Sequence, residues 1–326
     1  MLMRRFARSY VTARSMVEPP LVALFGATAL GKTEIAITLA QRLDADIVVA
    51  DSMQVYAGLT IVTNQPDEAQ RARARHHLVG FVPPQQDYTV AEYAREAHAV
   101  IDRLRAAGRP VVLEGGSGLY LRAALGDLDF AVPSDPHVRR ELEERWALDS
   151  LDVVNELRRL DPVTSERIDT ANPRRVLRAL EAVRVGGGPL SVADRAHLWR
   201  PAERYPHHLI ALLPDAGREA LTQRIDERVD WILAAGAPAE VVAARRAGPL
   251  GRTAMQAIGV RELLAYADGQ ITLAAAGAAM KTRTHALVRR QLTWMRKLPG
   301  ADRVATSMGP EATVAEIRDL AGLRAW

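Results

Sequence analysis

The sequence predicts an α/β protein, a parallel sheet flanked by helices with an all-helical domain inserted between its strands. Three observations point there. Short apolar runs alternate with stretches of helical periodicity along most of the chain. The first strand–helix junction is an eight-residue, glycine-bearing loop, Gly26-Ala27-Thr28-Ala29-Leu30-Gly31-Lys32-Thr33. Between residues 134 and 200 the strand signal disappears. Strands alternating with helices in this way imply a parallel sheet covered on both faces.

Each element has a local reason. Leu21-Val22-Ala23-Leu24-Phe25 reads as a buried strand, being short, wholly apolar and ended by Gly26. A helix follows from Lys32 to Leu43, with Ile35, Leu39 and Leu43 at helical spacing. Ile47-Val48-Val49-Ala50 is a second buried strand that delivers Asp51 to its C-terminal end. Thr89 opens a helix with Glu92 three residues on, the pattern of a capping box, and Tyr93, Ala97, Val100 and Leu104 form its apolar stripe as far as Gly108. Val111-Val112-Leu113 is a strand leading into Glu114-Gly115-Gly116-Ser117-Gly118, and His208 to Leu213 is another. Within the strand-free stretch, Asn172 with Pro173 at the first turn opens a helix that Gly186-Gly187-Gly188 closes. The expected organisation is a basic, disordered extension over 1–17, a core made of 18–133 and 201–300, a helical insertion over 134–200, and a C-terminal tail over 301–326.

Composition narrows the class. At 326 residues the prior is about two domains. With 48% hydrophobic and 25% charged residues, a globally disordered chain is excluded. The absence of cysteine excludes disulfides, thiolate metal sites and cysteine nucleophiles, and it fits a reducing cytoplasm. No apolar run approaches the roughly 18–20 residues that span a bilayer, so a cytoplasmic protein with no membrane partner is expected. Of 43 basic residues, only Lys32, Lys281 and Lys297 are lysine. Arginine presents a planar fork suited to phosphate, although a high-GC genome would enrich it everywhere. Placement is more telling than amount. Residues 269–301 contain no carboxylate but hold Lys281, Arg283, Arg289, Arg290, Arg296 and Lys297. Residues 172–200 hold six arginines against Glu181 and Asp194.

The eight-residue loop matches the Walker A pattern in its proper setting, after a strand and opening a helix, which makes the sheet P-loop NTPase-like. Its glycines let backbone N–H groups from Gly26, Ala27, Thr28, Ala29, Leu30 and Gly31 turn around a diphosphate, at the positive end of a helix dipole. Lys32 adds a point charge, and the Thr33 hydroxyl can hold Mg²⁺. The loop specifies a diphosphate-bearing ligand without saying which. Asp51 could serve as a base, as a metal ligand or as a helix cap.

Further segments narrow this. Asp51-Ser52-Met53-Gln54-Val55-Tyr56 and Thr63-Asn64-Gln65-Pro66 are followed in order by His76-His77-Leu78, Gly115-Gly116-Ser117-Gly118-Leu119-Tyr120 and Asn172-Pro173-Arg174-Arg175. Then come Gln223-Arg224-Ile225, Ala257-Ile258-Gly259 and Arg289-Arg290-Gln291-Leu292-Thr293-Trp294. Together with the phosphate loop, this ordered set resembles the tRNA dimethylallyltransferase (tRNA isopentenyltransferase) family over about residues 20–297. The resemblance implies transfer of the dimethylallyl group from dimethylallyl diphosphate to N6 of the adenosine 3′ of the anticodon, position 37, in the tRNA anticodon stem-loop. It implies Asp51 as general base, with Lys32, Thr33 with Mg²⁺ as cofactor, and Arg224 stabilising the departing diphosphate. It also implies tRNA contacts from Asp51, Ser52, Met53, Gln54, Ser117, Arg139, Asn172, Pro173, Arg174 and Arg175. Gln256, Ala257, Ile258, Gly259, Val260, Arg261, Arg289 and Arg290 complete the expected tRNA set, and the enzyme is expected to act as a monomer.

The chain departs from the family pattern at Ala27 for proline, Ser117 for threonine, Gln65 for lysine and Val260 for an aromatic residue. Altered affinity with retained activity is expected. Arg228 lies four residues beyond Arg224 on the same helix face, where the two could form a clamp; for Arg228 the expected reading is pairing with Asp226, Glu227 and Asp230 at the surface. Trp294 is expected in the core with Leu287 and Leu292, and His76 and His77 point in different directions and are expected to be structural. Two other enzyme classes use overlapping features: a small-molecule kinase holding ATP in the same loop, and prenyl transfer to free adenine nucleotide. A non-catalytic RNA-binding protein would use the basic segments alone.

Overall fold

The computed structural model describes residues 18–128, 135–186, 188, 202–214, 217–306 and 309–323. The expected basic extension over 1–17 lies outside them. The described residues form two compact units, one drawn from 1–88, 95–118 and 206–326, the other from 89–94 and 119–205.

The first unit is built on a six-stranded sheet of β1 (Leu21–Gly26), β2 (Asp46–Val49), β3 (His76–His77), β4 (Val111–Gly115), β7 (His208–Leu213) and β8 (Asp302–Ala305), in the order β3-β2-β4-β1-β7-β8. Every pairing in it is parallel. Parallel strands covered on both faces need continuous apolar runs, and Val22, Leu24, Ile47, Val49, Val112, Ile210 and Leu212 are all fully buried. The helix Lys32–Leu43 lays Ile35, Leu39 and Leu43 into the same cluster. As expected, Thr89 and Glu92 cap the helix Val90–Ala106, with the Glu92 N–H donating to Thr89 Oγ1 at 3.2 Å and the Thr89 N–H donating to Glu92 Oε2 at 2.8 Å.

The C-terminal expectation is corrected. Residues 302–305 are not tail but the edge strand β8, registered against Ile210 to Leu213 of β7. The helix Gly309–Leu320 then returns Val314 and Ile317 to the sheet core. In β8 only Val304 is buried, so the segment reads as polar even though it completes the sheet.

The second unit is mainly helical. The helices Pro136–Leu148, Ser150–Leu160, Pro162–Arg167 and Pro173–Gly186 enclose Leu142, Val153, Leu157, Val176 and Leu180. Asp135, Asp149 and Asp161 cap the first three, and the Arg175 N–H donates to Asn172 Oδ1 at the head of the fourth. The insertion is wider than the expected 134–200. The short strand β5 (Gly126–Asp127) pairs antiparallel with β6 (Ala202–Glu203), a long-range contact that no local pattern announces.

Candidate active site

In the first unit, the loops that follow β1, β2 and β4 all leave the carboxyl edge of the sheet, where parallel α/β folds bind ligands. After β1, Gly31 (φ 72°) takes a left-handed conformation at the head of the helix Lys32–Leu43. Ala29 shares that conformation at φ 69°. The loop is anchored by packing, since Ala27 and Leu30 are buried against Leu221, Ile225 and Val288. Lys32 Nζ donates back to the Ala27 carbonyl at 3.2 Å. Burial holds the Lys32 pKa below its ordinary value, Glu114 and Asp51 pull it back up, and Arg228 pushes it down.

The loop after β2 is shaped by Asp51. Its Oδ1 accepts the Met53 N–H at 2.9 Å and the Gln54 N–H at 3.4 Å, a side-chain-made turn. The strand ends approach so closely that a Cβ on Gly115 would lie 2.1 Å from the Ala50 carbonyl oxygen, so only glycine fits. Ser117, in the loop after β4, accepts the Ser52 N–H at 3.2 Å, and the two hydroxyls also lie 3.2 Å apart.

These loops wall a cavity of about 590 Å³. Lys32, Thr33, Asp51, Glu114 and Arg228 line it, and Val62, Ile232, Ile258, Met280 and Leu287 give it apolar wall. One cavity thus offers cations for a diphosphate, a carboxylate able to accept a proton, and space for a hydrocarbon group. Thr28, Ala29, Gly31, Ser52, Met53, Gln54, Gln256, Ala257 and Arg290 also reach it.

Several expected site residues lie elsewhere. Arg224 is exposed and not in the cavity wall, whereas Arg228, one helical turn on, lines that wall with Asp51 as its attractive neighbour. Depth along the helix Arg218–Ala234 decides which of the two arginines reaches the cavity. Gln65 is buried outside the wall. Its Nε2 donates to the Tyr56 carbonyl at 2.7 Å and its Oε1 accepts from Arg71, so it holds the loop and presents nothing to a phosphate. Val260 is fully buried and Gly259 (φ 104°) packs beneath Val62 and Met280, so these two support the cavity rather than contact RNA. Arg261 donates to the Met255 carbonyl. Ser117 braces Ser52 from behind and is absent from the wall.

In the second unit, Arg139 pairs with Glu143 and Glu181. Pro173, Arg174 and Arg175 are exposed at the head of their helix, with Asn172 partly so. In the first unit, the basic segment is partly neutralised. Lys281 pairs with Asp230, His285 with Asp226 and Arg283 with Glu262, all from neighbouring helices, while Arg289 and Arg290 stay exposed. His77 binds Asp46 and His76 the Ala74 carbonyl, both in structural roles. Trp294 lies across Gly118, where a Cβ would come within 2.4 Å of the indole.

Sequence reasoning gave Glu114 and Gln291 no role of their own and preferred a surface pairing for Arg228. Glu114 had a signal, a carboxylate ending the apolar run Val111-Val112-Leu113 at the sheet edge. Burial pushes its pKa up, Lys32 draws it down and Asp51 raises it further. Gln291 joins two loops from a helix far along the chain; it stood in a family-like segment, but no local pattern pointed to a bond with either loop.

The family model described as IPP transferase matches residues 54–298. The chain is 38% identical to tRNA dimethylallyltransferase 2 of Geotalea uraniireducens over 85% of this chain and 89% of that protein. It is 39% identical to tRNA dimethylallyltransferase of Thiobacillus denitrificans over 87% and 90%. Among solved structures, the tRNA isopentenylpyrophosphate transferase of Bacillus halodurans superposes with a TM-score of 0.69 at 29% identity, covering 94% of this chain and 96% of that one. A eukaryotic dimethylallyltransferase acting on tRNA shares the fold at a TM-score of 0.74 and 22% identity, over 94% and 80%. With matches of this extent on both chains, the protein belongs to the IPP transferase family.

Proposed function

We propose that this chain transfers the dimethylallyl group of dimethylallyl diphosphate to N6 of adenosine 37, the nucleotide 3′ of the tRNA anticodon, and releases diphosphate. The observation that carries this is the meeting of Lys32, Asp51 and Arg228 with an apolar wall in one cavity. N6 attacks C1 of the allylic group as the C1–O bond to diphosphate breaks. The adenine amine is a poor nucleophile, its lone pair being delocalised into the ring, so its proton must leave as the new bond forms. Asp51 takes that proton. The electrons of the broken bond go to diphosphate, whose growing charge faces Lys32 and Arg228.

Thr33 lines the cavity and carries a hydroxyl oxygen, a hard donor suited to Mg²⁺ held mainly by substrate phosphates. When bound, Mg²⁺ neutralises diphosphate charge. The loop N–H groups orient the same phosphates, and Ser52, Met53 and Gln54 flank the entering adenine. Arg174, Arg175, Arg289 and Arg290 are exposed cations available to RNA phosphates.

Mass spectrometry of tRNA nucleosides after incubation with the protein, Mg²⁺ and dimethylallyl diphosphate should reveal a dimethylallyl adduct on adenosine. Asp51→Ala should lower turnover by about 10²–10⁴ with tRNA affinity kept. Modification of AMP in preference to tRNA, or phosphoryl transfer from ATP, would refute the proposal.

A further inference from the structure

Gln291 sits on the long helix Leu273–Arg296 with its side chain buried and outside the cavity wall. Its Oε1 accepts the N–H of Thr28, in the phosphate loop, at 2.9 Å. Its Nε2 donates to the carbonyl of Gly116, in the loop after β4, at 2.9 Å. The orientation of the amide is unambiguous, because a backbone N–H only donates and a carbonyl only accepts. Gly116 is held so close that a Cβ there would lie 2.5 Å from Gln291 Nε2. The next residue, Ser117, accepts the Ser52 N–H, and Ser52 directly follows Asp51. A continuous chain of bonds therefore runs from Thr28 through Gln291, Gly116, Ser117 and Ser52 to Asp51.

We infer that Gln291 is a positioning residue that sets the spacing between the diphosphate-holding loop and the Asp51 carboxylate. This rests on the transfer reaction proposed above. The loop fixes C1 of the donor through its diphosphate, and Asp51 fixes N6 of the acceptor through its proton. In-line attack needs both at once, and a misplacement of about 1 Å can cost 10²-fold in rate. A helix anchored to both loops holds that distance without touching either substrate. Glutamine fits the role because one side-chain amide both accepts and donates. Glutamate at neutral pH would turn an acceptor towards the Gly116 carbonyl, and methionine would bond to neither loop.

The test uses single-turnover transfer to tRNA by the full chain at saturating dimethylallyl diphosphate, with separate Kd measurements for donor and tRNA. Gln291→Met and Gln291→Glu should each slow transfer by about 10–100-fold while both Kd values stay within about threefold. The Gln291→Glu deficit relative to wild type should shrink as pH falls, because a protonated carboxyl both accepts from Thr28 and donates to Gly116. Ser117→Ala added to Gln291→Met should slow transfer little further, since both interrupt one chain. Wild-type rates in both variants, a loss carried wholly by Kd, a pH-independent Gln291→Glu deficit, or multiplying losses in the double variant would each overturn the inference. Should Gln291→Met fail to fold, the pH profile of Gln291→Glu decides alone. Inactivity of the wild-type chain would instead refute the function itself.

Discussion

At the residue scale, Glu114 is the least expected member of the site. It is the penultimate residue of β4, at 3% exposure, beside Lys32 and Asp51 in one cavity. Burial raises its carboxyl pKa, and the sign of the consequence is determinate. Below the ordinary glutamate value of about 4.3 the group is protonated in both folded and unfolded chains. As pH rises above that value, the unfolded chain sheds the proton while the folded chain retains it. Stability is then lost progressively until the raised folded pKa is passed. Glu114→Gln removes this penalty. Thermal unfolding should find the variant close to wild type near pH ~4 and stabilised near pH ~8. A stabilisation that shrinks with rising pH would show that Glu114 is instead held ionised by Lys32. Asp51 was legible at this scale from its place after a strand, but the turn that aims it depends on its own side chain capturing the Met53 and Gln54 amides.

At the element scale, the helix Arg218–Ala234 shows why motif position and spatial position diverge. Leu221 and Ile225 seat it against the phosphate loop. Arg224 and Arg228 share one face but differ by about 6 Å along the axis, a little over one turn. Only Arg228 reaches the cavity. Arg228→Ala should therefore slow transfer by about 10²-fold, the scale for a lost donor to developing charge. Arg224→Ala should change it by no more than about twofold, as for a surface substitution. A larger loss at Arg224 in the same assay would mean that the helix moves when donor binds. Neighbouring helices likewise revise the basic segment, because Asp230 and Glu262 face cations that look unopposed along their own stretch of chain.

At the scale of the whole molecule, a tRNA ligand requires cations beyond the cavity. Arg289 and Arg290 are exposed on the long helix, and Arg290 also reaches the cavity wall. Charge reversal of both to glutamate should weaken tRNA binding and flatten the dependence of log affinity on log salt. The slope should fall by roughly 1.4–1.8, or about 0.7–0.9 for each of two phosphates that the protein no longer neutralises. Titrations at several salt concentrations measure this, and an unchanged slope would remove the segment from the RNA surface.

The sequence by itself determined what depends on near neighbours. The strands β1, β2, β4 and β7 follow from unbroken apolar runs, the capped helices from Thr89 and Asn172, and the phosphate loop from spacing alone. Asp51 and Lys32 follow from those elements, because a strand end and a helix start place them within a few residues. The tertiary structure decided whatever depends on partners distant in the chain. Thr28 and Gln291 are 263 positions apart, and β8 shows its role only beside β7. The choice of Arg228 over Arg224, the burial of Val260 and Gln65, and the edges of the helical insertion are of the same kind. Local periodicity reports which face of an element is apolar. It carries no information on which element covers that face, and that covering sets the depth, charge and reach of each side chain.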